Sequence, residues 1–194
     1  MKLVKNKTLK DFGMVISSNI LVLISSILTG LVVPKLLGVT NYGYYKIFTL
    51  YLGYTALLHF GFVDGILLMH GGEDYRDLDK AKFRRNTQSF AATQAVISLL
   101  VVTVACIAMK GIYRFIFVMI GIDTITTNLT SYYQYVSQCT LRFKELSIRK
   151  VYQAGLKIAF TLMFFILFRG GKIEALSARI YIAVSYTHLR AHET

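Results

Sequence analysis

The sequence predicts an all-α integral membrane protein, a polytopic helix bundle, and three observations carry that prediction. Its 194 residues are 55% hydrophobic and only 16% charged, where a soluble domain carries about a quarter charged residues. Several apolar runs reach the ~20 residues needed to cross hydrocarbon. The Lys and Arg side chains are gathered in short clusters between those runs, so the net charge of +12 records topology rather than a nucleic-acid footprint. An aromatic content of 13% excludes disorder, and two cysteines, Cys106 and Cys139, exclude a disulfide-built secreted domain.

The first span is read over residues 12–33, after a basic leader holding Lys2, Lys5, Lys7 and Lys10. Its apolar part is longer than the 7–15 residues of a signal-peptide core, and Gly30 to Lys35 offers no small-x-small cleavage site. Pro34 is expected to end it. Ser18, Ser25 and Thr29, flanked by Asn19, Ser26 and Gly30, give this helix a small polar face suited to other helices rather than lipid. A second span, 43–69, is interrupted by Gly53, Gly61 and Gly65 and precedes the charged stretch HGGEDYRDLDKAKFRRNTQ. The third, 90–109, is uninterrupted. In the fourth, 112–138, Asp123, Thr127, Thr130, Gln134 and Ser137 form a polar stripe opposite Ile125, Leu129, Tyr132 and Val136, and such a stripe belongs against a bundle interior or water. A fifth span covers 151–168, and a sixth begins at 180.

Basic residues set the expected orientation. The N-terminus, the second loop and the fourth loop hold thirteen Lys and Arg, against seven on the other side. The positive-inside rule then places the N-terminus in the cytoplasm.

The loop VVPKLLGVTNYGYYKIF, with Leu37-Gly38 followed by Tyr42-Gly43-Tyr44, resembles the start of bacterial polysaccharide biosynthesis proteins. These are the oligosaccharide flippases of the multidrug/oligosaccharidyl-lipid/polysaccharide (MOP, MATE-like) superfamily. His59-Phe60-Gly61 through Gly65-Ile66 and Arg142-Phe143-Lys144-Glu145 add to the likeness, which covers about residues 10 to 170. The resemblance implies the N-terminal lobe of a two-lobe carrier, five transmembrane helices and the start of a sixth. Such a carrier flips polyprenyl-pyrophosphate-linked oligosaccharide across the bacterial inner membrane by alternating access, for capsule, O-antigen or exopolysaccharide synthesis. It implies no cofactor beyond a coupling H+ or Na+, and as partners the lipid-linked glycan, membrane lipid and polysaccharide polymerase or export proteins, with no nucleic acid. Two alternatives stay open: a cation-coupled multidrug exporter of the same superfamily, and a membrane-embedded glycan polymerase or ligase.

Each candidate residue has two readings. Lys157, inside the fifth span, is a cavity cation for pyrophosphate or a lysine snorkelling to headgroups. Lys46 lines the outer mouth or anchors at the interface, the latter being the simpler reading for Lys35 and Arg114 too. Asp123, near mid-membrane, takes up a coupling H+ or Na+ or pairs with a cavity lysine. Thr127, Thr130 and Gln134 bond sugar hydroxyls or pack helices. Asp64 couples an ion or caps a helix. His59 carries protons or sits at a helix interface. Glu73, Asp74, Asp77 and Asp79 are interleaved with Arg76, Lys80 and Lys82 and read as a solvated loop. There is no P-loop, GxSxG or HExxH, so the chain is not expected to be an enzyme or to hold a metal.

The end of the sequence breaks the pattern. Val184 to Thr194, VSYTHLRAHET, reads in reverse translation as a transposase-type sequencing adapter in one frame. Residues 183–194 are therefore set aside as non-native, and 1–182 are expected to be a truncated first lobe, inactive alone.

Overall fold

A computed structural model describes residues 2–72, 76, 79–169 and 179–183, with only the backbone of residues 2–11. The side chains of Lys2, Lys5, Lys7 and Lys10, the acidic residues Glu73, Asp74 and Asp77, and residues 184–194 lie outside the described residues. Those that are described form helices: α1 (Lys2–Thr55), a 3-10 turn (Ala56–His59), α2 (Phe62–His70), α3 (Lys80–Ala108), α4 (Gly111–Cys139) and α5 (Phe143–Arg169), with 179–183 also helical. Among the described residues, four helices are long and apolar enough to cross a membrane: Phe12–His59, Lys80–Ala108, Gly111–Cys139 and Phe143–Arg169. The chain is a helical membrane bundle.

The longest of these helices is not straight. Gly38 sits at φ 66°, ψ 174°, a backbone region open essentially to glycine alone, and it splits α1 into two arms. Val22 and Ser25 of the first arm share a cavity with Phe48, Thr49 and Leu52 of the second, so the arms fold back on each other about Gly38. The turn expected at Pro34 thus falls four residues later. Proline lacks an N–H and leaves the Gly30 carbonyl without its helical donor, yet a helix in a membrane absorbs that loss where neighbours surround it; only a residue without Cβ can make the reversal itself.

The second expected span, 43–69, is also discontinuous. Its helix stops at Thr55, passes through the 3-10 turn, and restarts at Phe62 after Phe60 (φ 48°) and Gly61 (φ 72°) adopt left-handed conformations. Such a break inside a bundle needs new partners for its backbone, and two amide side chains supply them. Gln94 Nε2 donates to Leu58 O (3.1 Å) and Asn128 Nδ2 to Thr55 O (3.2 Å). The two amides are joined by Asn128 Nδ2 to Gln94 Oε1 at 2.7 Å.

Helix α3 begins at Lys80, ten residues before the expected 90, because Asp79 caps it: Oδ1 accepts from the N–H groups of Ala81 (3.0 Å) and Lys82 (3.2 Å). It packs closely on α4 at Gly121, where an added Cβ would lie 2.6 Å from Val102 Cγ2 and 3.3 Å from Ser98 O. Ser98 Oγ bonds Gly121 O at 2.6 Å across that contact. Below it Phe62, Phe90 and Tyr132 stack, with ring centroids 5.0 Å and 5.3 Å apart for Phe62–Phe90 and Phe90–Tyr132.

The connections sort to two ends. At one, Gly72 N–H donates to Cys139 O (2.9 Å), joining the end of α2 to the α4–α5 turn, where Arg142 pairs with Glu145. At the other, Val33, Leu36 and Leu37 pack with Phe164 and Tyr181, and Phe48 packs with Ile116, Ile120 and Ile182.

Candidate functional site

Helix α5 lies along the first arm of α1, in contact over most of its length. The seam is built from small residues: Ser18, Ser25 and Thr29 of α1, and Ser147, Ala154 and Thr161 of α5, are all buried. Small side chains let two backbones approach, and packing then takes the place of a hydrophobic drive that lipid cannot supply. The α1 hydroxyls satisfy themselves on their own helix: Ser18 Oγ donates to Val15 O, Ser25 Oγ to Val22 O and Thr29 Oγ1 to Ser25 O, all within 2.8 Å.

Beside the seam runs a charged ladder. Lys150 Nζ donates to Asn19 Oδ1 at 2.9 Å and Lys157 Nζ to Ser26 Oγ at 3.4 Å. Both pairs are separated by 131 residues, and each partner recurs after seven, so the two helices run parallel and in register. Among the described residues neither lysine meets a carboxylate. Lys157 lies about 21 Å along α5 from Phe143, at about 1.5 Å per residue. A lysine at mid-membrane costs roughly 2.5–3.5 kcal/mol even on insertion scales, while an interhelical hydrogen bond returns about 0.6 kcal/mol. The bond to Ser26 therefore does not account for a cation there.

What lies beside Lys157 is space. A cavity of about 390 Å³ opens between the two arms of α1, α5 and Tyr181, walled by Val22, Ser25, Tyr45, Phe48, Thr49, Leu52 and, from α5, Gln153 to Phe164. Its wall is mostly apolar, with Lys157, Thr49, Gln153 and Thr161 as polar points. The other expected cavity residues are not part of it. Lys46 is exposed, with Nζ 5.2 Å from the Tyr42 ring centroid, one turn away from the cavity residue Thr49. Thr127, Thr130 and Gln134 sit part-buried on α4, outside the cavity wall.

Asp123 is wholly buried on α4, on the face that carries Ile116 and Ile120. It does not meet Lys157: its carboxyl oxygens have no hydrogen-bond partner among the described residues. His59 and Asp64 belong to the break in the second span. His59 Nδ1 accepts the Gly61 N–H at 3.2 Å, which closes the 3-10 turn, and Asp64 is exposed in the first turn of α2, where a carboxylate complements the helix N-terminus. Among the described residues no group of three His, Cys, Asp or Glu is placed to hold a metal.

Gln94, Asn128 and Lys150 were not singled out by sequence reasoning. A lone amide in an apolar run gives no hint of its partner, and Lys150 reads as one more loop cation. The equal spacing of seven between Asn19 and Ser26 and between Lys150 and Lys157 is the signal that could have paired them.

Compared with known protein families, curated proteins and solved structures, the chain matches none.

Proposed function

We propose that the chain is the first lobe of a membrane carrier that moves an anionic, lipid-linked oligosaccharide, of the polyprenyl-pyrophosphate class, from the cytoplasmic to the outer leaflet of the bacterial inner membrane. The observation that carries this reading is the Lys150–Lys157 ladder, whose inner member opens on the α1–α5 cavity with no carboxylate among the described residues to neutralise it. A pyrophosphate has the charge that such lysines lack, and the apolar wall suits the lipid next to it. The N-terminus is cytoplasmic in this proposal, as the clustering of basic residues at the Lys80 and Arg142 end favours. In a bacterium lacking its own flippase, the complete gene should restore surface glycan. Lys157→Ala should lower that export at least tenfold at unchanged protein level, and Lys157→Arg should retain most of it. Wild-type export from Lys157→Ala would sink the proposal.

A second reading, a cation-coupled exporter of cationic drugs, draws on one observation, the carboxyl group of Asp123, which is without a hydrogen-bond partner among the described residues. It predicts that Asp123→Asn abolishes dye efflux while Lys157→Ala leaves it intact.

A further inference from the structure

Where the α1–α5 seam reaches its charged end, it leaves a groove of about 550 Å³, walled by Gly13, Met14 and Ser17 of α1 and by Ser147, Ile148 and Val151 of α5. Ser17, Ile148 and Val151 are exposed, so the groove opens sideways, and neither Asn19 nor Lys150 is among its walls. One polar atom in it is unserved. Ser147 is 4% exposed, and its Oγ has no hydrogen-bond partner among the described residues. The other buried hydroxyls of the seam donate to carbonyls of their own helices, as Thr161 Oγ1 does to Lys157 O at 2.8 Å. Buried polar atoms are nearly always paired, and an exception calls for a partner from outside the chain. Lys144, which is exposed, stands one turn before Ile148 on α5. Such i, i+4 residues are neighbours on a helix face, which brings an ammonium to the charged end of the groove. Glu145, the next residue, is engaged with Arg142. At its other end the groove reaches Val151, where the apolar run of α5 begins, about 12 Å along the helix from Phe143. It therefore straddles the boundary between headgroups and hydrocarbon.

A ligand for this groove needs an anionic, hydrogen-bond-accepting end and an apolar body, and it enters from the side. A water molecule would serve Ser147 and leave Lys144 unmet, while a free phosphate would serve both and leave the apolar wall uncovered. We infer that the groove seats one anionic phospholipid from the leaflet at the Lys144 end, its phosphate accepting from Ser147 Oγ and Lys144 Nζ and its acyl chain lying along Met14, Ile148 and Val151. The start of α5 at Phe143 brings the positive end of a helix dipole to the same phosphate. A zwitterionic lipid carries its own cation beside the phosphate, and that cation repels Lys144, so a singly anionic headgroup such as phosphatidylglycerol is preferred. Bilayer lipid touches every outward face of a membrane protein; a single lipid chosen by its headgroup is a separate property. Because both helices wall the groove, the seated lipid braces the α1–α5 pair from its open side. This inference concerns a resident lipid and not a cargo, and it does not rest on the glycan reading.

The test uses the purified chain in neutral detergent micelles doped with phosphatidylglycerol or phosphatidylcholine at equal mole fraction. Heating is followed by tyrosine fluorescence, since the chain has 13 Tyr and no Trp, and native mass spectrometry counts the lipids retained. Phosphatidylglycerol should raise the unfolding midpoint by roughly 3–6 °C at ten times its dissociation constant, with one molecule held per chain. Phosphatidylcholine should do less, and inorganic phosphate nothing. Lys144→Gln should shift the response to at least tenfold higher lipid, and Ser147→Ala to about fivefold higher. Gly13→Leu keeps both polar groups and fills the groove, because a Cβ at Gly13 meets nothing within 4 Å; it too should shift the response at least tenfold. Lys144 and Gly13 are both exposed, so the two variants keep the buried core and decide the matter even if Ser147→Ala fails to fold. Equal midpoints in the two lipids, a response to inorganic phosphate as large as that to lipid, or an unaltered response in either Lys144→Gln or Gly13→Leu would each overturn the site. No glycan lipid enters the assay, so a failed export experiment leaves its outcome untouched.

Discussion

Gly121 and Gly155 are both glycines inside long helices, and only their surroundings tell them apart. A Cβ at Gly121 would meet Val102 Cγ2 at 2.6 Å and the Val102 backbone N at 3.2 Å, while at Gly155 nothing lies within 4 Å. Gly121→Ala should therefore cost about 1–3 kcal/mol through overpacking, whereas Gly155→Ala should be neutral or gain up to about 1 kcal/mol from helix propensity. Chemical unfolding of the two variants in micelles checks the contrast, and equal effects would show that α3 and α4 do not touch at Gly121. Nothing in the sequence separates these glycines, because a close approach is a property of the partner helix. Asp123 is different. Its burial without a hydrogen-bond partner among the described residues could not be read from helical periodicity, which gives a face and not its neighbours.

At the scale of elements, the two discontinuities differ in how far they could be read. The reversal between the first two arms was legible, and its position slipped from Pro34 to Gly38 because proline is a weak stop inside a bundle while a positive φ with extended ψ selects glycine. The break at Ala56–Gly61 was visible only as spaced glycines in an apolar run. What holds it open is the amide pair from α3 and α4, and such pairs are set by tertiary contact. Gln94→Leu and Asn128→Leu should each cost about 1–2 kcal/mol, since each leaves a carbonyl of the break unpaired. Because the two amides also bond one another, the double variant should cost less than the sum of the single ones. A double-mutant cycle on unfolding free energies measures this coupling, and strict additivity would show that the pair does not act as one clamp.

For the whole molecule, the apolar spans and their alternation were legible because length and composition dictate them, while the choice of which helices pair was not. Helix α5 is paired with α1 across 131 residues, and that choice follows from matching small seams and a shared seven-residue ladder. In a background free of Cys106 and Cys139, Asn19→Cys with Lys150→Cys should cross-link in membranes, as should Ser26→Cys with Lys157→Cys. The mismatched pair of Asn19→Cys and Lys157→Cys should not, being two turns out of register. Cross-linking of the mismatched pair at the same rate would remove the parallel alignment, and with it the cavity between the arms.

That pairing has a consequence for biogenesis. Ribosomes add about 5–20 residues per second, so α5 follows its α1 partner residues, 131 positions earlier, by roughly 7–26 s. For that interval Asn19 and Ser26 have no lysine to meet, and the seam of Ser18, Ser25 and Thr29 has nothing to pack on but lipid or the insertion machinery. Helix α1 is thus made well before it is completed, and through that interval its polar face is a part of the newborn chain in need of shelter.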